Sequence, residues 1–290
     1  MYYLNNIQLT NFCGYNNNSF SFSHNGSHNP ISVFFGPNGD GKSTVLQAIK
    51  LVSNPYQFFG RDNDMFFRKL TYHKDYDPIK DNFKPAKNEL LINASYTDID
   101  GNNYSSILDG KGIVESSLDR YNSDQEGWSI YCDADHPMNL NKFQIYSKSK
   151  DLFLNLAKAI YGLDVELDKQ VESSWIDKET EEIIRFYQDV ILIKDKTKVH
   201  FRRMSDGEKK ITTLIRFLCD EIIFNPSKIV LIDNVEMHIY FKRHPILIDK
   251  LVSMFPDKQF IVTTHSKSII DHIESAFGSH SLYDLENIHR

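Results

Sequence analysis

The sequence predicts an α/β fold with an antiparallel β part at its N-terminus, and three patterns support this prediction. A glycine-rich loop at residues 36–44 lies between a β-branched and aromatic run and a segment of helical periodicity. The last third of the chain alternates apolar runs with helical patterns, which indicates parallel strands connected by helices. Residues 1–35 instead contain short runs of alternating polarity, which favour antiparallel strands.

The N-terminal elements lead directly into the glycine-rich loop. Residues 3–9 and 19–23 alternate in polarity and predict an antiparallel pair, with a turn-rich loop at 11–18 between them. Residues 31–35 read Ile-Ser-Val-Phe-Phe, a composition typical of a buried strand. Residues 44–52 carry apolar side chains at helical spacing. The loop therefore connects the end of a strand to the start of a helix.

The middle of the chain gives weaker patterns. Residues 54–88 contain several prolines and little periodicity, which predicts loops with short elements. Residues 90–97 and 104–108 predict two strands, joined by a hairpin turn at 100–103.

Residues 149–193 predict a mainly helical region, with one helix at 152–161 that ends at Gly162 and a second helix at 179–187. A short strand pair is predicted at 190–193 and 198–201.

The last third alternates between helix and strand. The predicted elements are a helix at 208–224, a buried strand at 228–233, a helix at 241–254 that Pro245 interrupts early, a buried strand at 259–264 and a helix at 266–276. This alternation predicts a parallel sheet.

Composition and charge exclude several classes of protein. Hydrophobic residues make up 41% of the 290 residues, enough for a sizeable core, and the net charge of −6 excludes a global basic field for nucleic acid. Cys13, Cys132 and Cys219 form no C-x-x-C pair, which argues against a zinc site and a disulfide framework. No apolar run approaches the ~18 residues of a membrane span, and we therefore expect a soluble, cytoplasmic protein without a membrane partner.

The glycine-rich loop reads G-x-x-x-x-G-K-S-T, a complete P-loop. Its glycines allow backbone N–H groups to turn inward around a phosphate, and the helix N-terminus adds partial positive charge. Lys42 is expected to reach the β- and γ-phosphates of ATP, and Ser43 is expected to ligate Mg²⁺. The candidate nucleotide-binding residues of the loop are Gly36, Asn38, Gly39, Gly41, Lys42, Ser43 and Thr44.

Three further motifs are candidates for the same site. Four apolar residues end at Asp233, which is the pattern of a Walker B strand whose carboxylate holds Mg²⁺. His265 follows the last strong strand, at the edge where open α/β sheets bind ligands, and is a candidate to bond the γ-phosphate or its attacking water. Ser205 and Gly207 precede a predicted helix, where they form an anion-binding N-terminus or, with Glu208, a capping box.

In this order, the motifs G-P-N-G-D-G-K-S-T, M-S-D-G-E-K-K, V-L-I-D-N-V-E-M-H and F-I-V-T-T-H-S resemble those of the ABC-type ATPase superfamily. The resemblance is narrower to its soluble branch, which includes SMC and RecF-like heads, OLD-like ATPases and bacterial defence ATPases of the AAA_15/AAA_21 type. It implies an ABC-type P-loop NTPase head with an N-terminal antiparallel β part, a mainly parallel core sheet and a helical lobe. Residues 55–200 are matched only by position.

The resemblance implies one ATPase domain over residues 1–290. Residues 1–54 and 200–290 would form its nucleotide-binding core, 55–145 a β-rich insertion of unassigned role, and 146–200 the helical lobe.

The resemblance also implies a head-to-tail homodimer in which each ATP lies between one subunit's P-loop and the other subunit's signature motif. Ser205 and Gly207 would contact the γ-phosphate bound by the partner, while the helix N-terminus caps itself. Members of the superfamily carry a glutamine before the helical lobe that senses Mg²⁺ and the attacking water. Gln144 is the candidate for this role, and a surface glutamine is the alternative interpretation.

Two positions depart from the family pattern. The family's general base is a glutamate directly after the Walker B aspartate, and Asn234 occupies that position here. An amide cannot accept a proton from water near pH 7, although it can orient water by hydrogen bonding. Hydrolysis is therefore expected to be slow or absent unless His265 or a partner compensates. Cys13 stands where the family often has a cation near the adenine, so adenine selectivity is less secure than phosphate binding.

The sequence thus favours a nucleotide switch, in which ATP closes a homodimer that controls a separate effector, such as a nuclease or toxin, in phage defence. One alternative is an active, DNA-stimulated ATPase of DNA repair. Its basic groove would consist of Lys198, Arg202, Arg203, Lys209 and Lys210, which otherwise only solvate the surface. A third alternative is a scaffold subunit that binds ATP without exchange.

Overall fold

The computed structural model describes residues 2–53, 90–109, 112–118, 129–133, 143–176, 183–224 and 227–286. The strands of these residues are β1 (Tyr2–Phe12), β2 (Tyr15–Ser21), β3 (Ser23–His24), β4 (Ser27–His28), β5 (Ile31–Phe35), β6 (Leu91–Asp98), β7 (Asn103–Asp109), β8 (Gly112–Ser116), β9 (Ser129–Asp133), β10 (Ile145–Tyr146), β11 (Asp164–Ile176), β12 (Ile183–Lys194), β13 (Thr197–His200), β14 (Ile229–Asp233), β15 (Gln259–Thr264) and β16 (Leu282–Asp284). The α-helices of these residues are α1 (Lys42–Ser53), α2 (Lys150–Tyr161), α3 (Asp206–Phe224), α4 (His244–Met254) and α5 (Lys267–Phe277). The loops predicted at 54–88 lie outside the described residues.

The chain divides into two compact units. The first unit consists of Met1–Tyr131, Ser227–Asp233 and Pro256–Arg290, and the second consists of Cys132–Pro226 and Asn234–Phe255. The P-loop and the strand that ends at Asp233 therefore belong to the first unit.

The first unit contains an antiparallel sheet with the strand order β2-β1-β6-β7-β8. A two-residue turn at Cys13-Gly14 joins β1 to β2, because Phe12 pairs directly with Tyr15. Both turn residues have positive φ, 47° and 94°, as a type I′ turn requires. The predicted antiparallel pair is confirmed, but the predicted loop at 11–18 is wrong. The strands continue through most of it, because the tight turn needs only two residues.

The hairpin predicted in the middle of the chain is confirmed. β6 and β7 pair in antiparallel register, with Leu91 opposite Asp109 and Thr97 opposite Asn103. β6 also pairs with β1, so this hairpin extends the N-terminal sheet.

The first unit also contains the predicted parallel sheet, with the strand order β16-β5-β15-β14-β9. β16, β5, β15 and β14 run parallel to one another. Thr264 lies opposite Phe35, and Val262 lies opposite Ile232. The carboxyl ends of these strands therefore meet at one edge. The residues that follow β5 and β15, and the aspartate that ends β14, lie at this edge, where open α/β sheets bind ligands.

The two sheets and α1 share one apolar core. Its large aromatic side chains are Phe12, Tyr15, Phe20, Phe22, Phe34 and Tyr96. Full burial of a side chain such as phenylalanine contributes about 1.5–3 kcal/mol, so this cluster is a major stabilising element. The buried Gln259 joins β15 to β1, because its side-chain amide donates to the Leu4 carbonyl at 2.9 Å and accepts from the Leu4 N–H at 2.8 Å.

The second unit contains α2, α3, α4 and a small antiparallel sheet in which β12 lies between β10 and β11 and also pairs with β13. The strand pair predicted at 190–193 and 198–201 is confirmed as the β12–β13 hairpin. The helix predicted at 179–187 is wrong for residues 183–187, which belong to β12. Pairing with neighbouring strands stabilises this Ile- and aromatic-rich segment as a strand. The predicted helical lobe at 146–200 therefore contains one helix and a sheet.

The helices of the last third follow the prediction with one correction. Pro245 does not interrupt a helix, because it lies in the first turn of α4, where its missing N–H has no intrahelical partner. The helices predicted at 152–161, 208–224 and 266–276 correspond to α2, α3 and α5. Among the described residues, no helix combines the length and the apolar character needed to span a bilayer.

Candidate nucleotide-binding site

The P-loop turns sharply between β5 and the start of α1. Gly36, Gly39 and Gly41 have φ of 141°, 89° and 84°, a region that residues with a side chain rarely adopt. Asn38 and Gly39 are exposed at the tip of the loop. The glycines of the motif are thus required by the backbone conformation of the loop itself.

Lys42 is positioned inside the curve of this loop. Its side chain is buried, and its ammonium donates to the carbonyl oxygens of Gly36 at 2.9 Å and Pro37 at 2.7 Å. A phosphate in the loop would attract this ammonium more strongly than neutral carbonyls do, because charge-assisted hydrogen bonds are the stronger ones. Ser43 and Thr44 follow in the first turn of α1, where the N–H groups and the helix dipole favour anions.

The Tyr15 side chain stabilises the P-loop backbone by a hydrogen bond. Its ring is fully buried, and its hydroxyl donates to the Gly41 carbonyl at 3.0 Å. Burial, together with the negative charge of Asp40, raises the pKa of Tyr15, so the hydroxyl remains a donor. Burial also raises the pKa of the nearby Cys13 thiol to about 12, so this position carries no charge at neutral pH.

Asp233 ends β14 at the same sheet edge and is held by two hydroxyl groups. The Thr263 Oγ1 donates to its Oδ1 at 2.5 Å, and the Tyr131 hydroxyl donates to its Oδ2 at 3.3 Å. The carboxylate is 5% exposed, and within the described part of the chain it contacts hydroxyls rather than a cation. An uncompensated buried carboxylate beside a P-loop fits Mg²⁺, with Asp233 and the Ser43 hydroxyl as the oxygen ligands.

His265 follows β15 at this edge. The backbone on its C-terminal side is fixed, because Ser266 donates its N–H to Thr264 Oγ1 at 3.0 Å and caps α5 through the Ile269 N–H at 3.4 Å. The imidazole itself is exposed. An exposed imidazole at this place is accessible to a bound nucleotide and to water.

The signature motif of the second unit forms a capping box. The Ser205 Oγ accepts from the Glu208 N–H at 3.4 Å, while the Glu208 carboxylate accepts from the Ser205 N–H at 2.9 Å. Lys194 pairs with the other carboxylate oxygen of Glu208, and the Tyr161 hydroxyl donates to the Glu208 carbonyl at 2.7 Å. Burial acts to raise the pKa of Glu208, but the bonds from Lys194 and Ser205 outweigh it and lower the pKa.

No contact or backbone conformation among the described residues requires glycine at position 207. A methyl group added to its Cα would meet no heavy atom within 4 Å, and its φ is not positive. Alanine is a better helix former than glycine by about 1 kcal/mol. The packing of the described residues therefore does not explain glycine at this helix N-terminus.

Asn234 and Gln144 also belong to the second unit. Asn234 has φ of 52°, a left-handed conformation that asparagine tolerates better than glutamate does, and its carbonyl accepts from the Met237 N–H at 2.9 Å. The Gln144 side chain is exposed, and its backbone carbonyl accepts a hydrogen bond from Arg216 at 3.5 Å. The structure therefore leaves both interpretations of Gln144 open.

Of the predicted residues, the first unit brings the P-loop, Asp233 and His265 to one sheet edge. Tyr15, Tyr131 and Thr263 were not predicted from the sequence. Thr263 directly precedes the Thr-His-Ser sequence, and it lies on β15 beside Asp233 of β14. The parallel register of β14 and β15 would have indicated that these two side chains are neighbours. Tyr131 lies in a stretch without a clear pattern, and Tyr15 was assigned to a loop.

This fold, with a complete P-loop and a buried aspartate on a neighbouring parallel strand, defines an ABC-type P-loop NTPase head. Solved structures support this class. The SMC head domain from Thermotoga maritima has a TM-score of 0.58 at 16% identity, over 93% of this chain and 91% of that one. An Smc head bound to the C-terminal domain of ScpA, derived from Pyrococcus furiosus, also has a TM-score of 0.58, at 13% identity, over 94% and 92% of the two chains. At these identities the similarity concerns the fold.

The chain belongs to the AAA_21 family, described as "AAA domain, putative AbiEii toxin, Type IV TA system", which matches residues 72–271. The matched range is more than half of the chain. It begins after the P-loop and includes Ser205, Asp233 and His265.

Two groups of relatives are similar in sequence. The Septu protein PtuA of Bacillus mycoides (strain KBAB4) is 23% identical over 91% of this chain. The Retron Vc95 probable ATPase of Vibrio cholerae serotype O1 biovar El Tor is 31% identical over 30% of this chain, and the Retron Ec83 probable ATPase of Escherichia coli is 32% identical over 30%. The aligned part of the chain spans 38% of the PtuA length and 19% of the Vc95 ATPase length.

Proposed function

We propose that this chain is the ATP-binding subunit of an anti-phage defence system, and that it acts as a nucleotide switch for a separate effector protein such as a nuclease or toxin. The proposal treats residues 1–290 as one ATPase domain in the cytoplasm. Its support is the membership of the AAA_21 family, together with the similarity to the Septu and retron proteins.

ATP and Mg²⁺ are the proposed ligands of the P-loop edge. Lys42 would transfer its hydrogen bonds from the loop carbonyls to the β- and γ-phosphates. Ser43 and Asp233 would hold Mg²⁺, which neutralises the phosphate oxygens when it is bound. Thr263 and Tyr131 orient the Asp233 carboxylate through their hydroxyl groups.

The second part of the proposal is a head-to-tail homodimer, and Gly207 is the observation that carries it. A glycine without a packing or conformational reason inside its own chain is best explained by the close approach of something outside it. The helix N-terminus beside it is preformed, because Ser205 and Glu208 cap each other. A γ-phosphate bound to the partner's P-loop fits such a site, since helix N-termini favour anions.

Slow hydrolysis is the third part of the proposal. Asn234 follows the Mg²⁺-binding carboxylate where a general base is expected, and an amide cannot take the proton of the attacking water. His265 is the remaining candidate base at the sheet edge. A dimer that holds ATP and hydrolyses it slowly would stay closed. The closed dimer would control the effector by binding the effector more tightly than the open form does. Gln144 would sense Mg²⁺ and the attacking water in the closed dimer.

The experiment measures the molar mass by light scattering and the steady-state ATP turnover of the full chain with Mg²⁺. We expect a monomer without nucleotide, a dimer with ATP, and turnover close to background. Lys42→Ala should abolish the ATP-dependent dimer, because loss of a charge-assisted bond to phosphate costs about 1.5–3 kcal/mol, roughly 10- to 150-fold in affinity. Lys250→Ala, which removes an exposed lysine of α4, is the matched control and should behave as the native chain.

Three results contradict parts of this proposal separately. An ATP-bound monomer would remove the dimer. Rapid turnover by the native chain that Lys42→Ala abolishes would remove the switch, and His265→Ala would then test the alternative base. Nucleotide that never exchanges with labelled ATP would favour the scaffold alternative instead.

A further inference from the structure

A group of three potential metal ligands lies on the small sheet of the second unit, on strands that do not carry the nucleotide motifs. Asp168 of β11 pairs directly with Asp189 of β12, and His200 of β13 pairs with Ile191 of β12. Since side chains alternate along a strand, Asp189 and Ile191 point to the same face, and their cross-strand partners do so too. The three side chains therefore share one face of three adjacent strands. One ligand atom from each residue lies within 4.8 Å of the others.

The buried member of this group is already oriented. Asp189 is buried, and its Oδ1 accepts from the N–H groups of Val190 at 3.0 Å and Phe201 at 3.3 Å. Its Oδ2 lies 2.8 Å from His200 Nδ1, at hydrogen-bonding distance. The backbone bonds fix the carboxylate, and the carboxylate fixes the imidazole.

The carboxylates of Asp168 and Asp189 would themselves attract a cation, because the other acids beside the group are already paired with lysines. Asp164 and Glu166 lie on the same face of β11 as Asp168, at alternate positions of the strand. Lys198 pairs with Glu166 at 2.8 Å, and Lys158 lies 3.8 Å from Asp164, so these four charges compensate one another. Lys198 also interacts electrostatically with Asp168. Asp168 is exposed, which leaves one side of the group open to solvent and to an entering ion.

We propose that Asp168, Asp189 and His200 bind one divalent transition-metal ion, with Zn²⁺ as the probe. The ion would lie between His200 Nδ1 and Asp189 Oδ2, and Asp168 would supply the third ligand with water at the open position. An imidazole with two carboxylates suits Zn²⁺, whereas Mg²⁺ prefers oxygen ligands alone.

The position of this site gives it a structural role. β13 ends at His200 and continues through the short turn Phe201–Arg203 into the capped start of α3. Asp189 accepts the N–H of Phe201, so an ion on Asp189 and His200 would tie the beginning of this turn to the sheet. The segment that leads to Ser205 would then be held in one conformation.

Equilibrium dialysis of the full chain against Zn²⁺, without nucleotide, tests the proposal independently of the ATP switch. Asp168→Asn and His200→Gln remove one ligand each, and Asp168→Asn changes an exposed side chain. Asp164→Asn is the matched control, since it removes an exposed acid from the same face of the same strand. Thermal unfolding with and without Zn²⁺ is recorded for each variant.

We expect one Zn²⁺ per chain that a millimolar excess of Mg²⁺ does not displace, and a higher Tm in its presence. Both ligand variants should lose at least tenfold in affinity together with the Tm increase, while Asp164→Asn should retain both. The proposal is wrong if the native chain binds no Zn²⁺, if Asp168→Asn and His200→Gln bind it with native affinity, or if Mg²⁺ displaces it.

Discussion

Gly207→Ala separates the stability of the chain from its proposed dimerisation. The new methyl group would meet no heavy atom within 4 Å, and the helical backbone accommodates alanine without strain. Replacement of glycine by alanine at a compatible position stabilises a protein by about 0.4–1 kcal/mol, since the unfolded chain loses conformational freedom. For a chain of this size, that corresponds to an increase in Tm of roughly 1–4 °C.

The same methyl group should interfere with a γ-phosphate presented by a partner subunit. Displacement of one phosphate contact at a helix N-terminus costs about 1.5–3 kcal/mol, so we expect the ATP-dependent dimer to weaken roughly 10- to 150-fold. The assay combines thermal unfolding of the ATP-free chain with sedimentation at several protein concentrations in ATP and Mg²⁺. Lys210→Ala, on the same helix, is the control and should dimerise as the native chain does.

Two outcomes would refute the reasoning about Gly207. A lower Tm of Gly207→Ala would mean that the chain itself requires this glycine. A higher Tm with unchanged dimerisation would mean that no ligand approaches Gly207 in the dimer. Only the combination of a more stable chain and a weaker dimer agrees with a site that acts on the partner's nucleotide.

Four further predictions follow from the contacts described above. Thr263→Val removes the donor to Asp233 and should lower the free energy of unfolding by about 1–3 kcal/mol in urea, with weaker MgATP binding by calorimetry. Glu208→Gln should destabilise the chain above about pH 4.5, and the difference from the native chain should vanish as the pH falls further, because the folded state lowers the pKa of this carboxyl. Burial raises the pKa of Asp220 from 3.8 to about 6, because it outweighs the opposing effect of Arg216. The ionised carboxylate therefore destabilises the folded chain above pH 6. Asp220→Asn should stabilise the chain by about 3 kcal/mol there and by nothing near pH 4. Duplex DNA should neither bind at 50 mM salt nor stimulate turnover; a steep salt-dependent affinity would favour the DNA-repair alternative.

The prediction about DNA rests on two of the five basic residues that would form the basic groove. Lys198 pairs with Glu166 at 2.8 Å, and Lys209 lies 4.0 Å from Asp206. Their positive charge is therefore partly compensated within the second unit. A groove that binds the phosphate backbone needs several uncompensated cations.

The sequence was most informative where a short motif dictates its own geometry. The P-loop glycines need positive φ, Ser205 and Glu208 stand three residues apart as a capping box, and the apolar runs before Asp233 and His265 are long enough to predict strands. These features depend on neighbours in the chain, so local patterns suffice to predict them. The family resemblance added the order of the motifs.

The sequence was least informative where pairing between distant segments decides the structure. Residues 183–187 have a helix-like pattern but form part of β12, because β11 pairs with them and β10 also pairs with Phe186 and Tyr187. The tight turn at Cys13-Gly14 likewise depends on the register between β1 and β2. A local pattern contains no information about such partners.

The sequence by itself determined the phosphate-binding loop, the aspartate and histidine that accompany it, and the parallel α/β core. Only the tertiary structure decided that Thr263 and Tyr131 hold Asp233, that Tyr15 supports Gly41, and that Asp168, Asp189 and His200 meet on one sheet. The physical reason is sequence separation. Hydrogen bonds between strands far apart in the chain depend on register and side-chain direction, and both are fixed only when the sheets assemble.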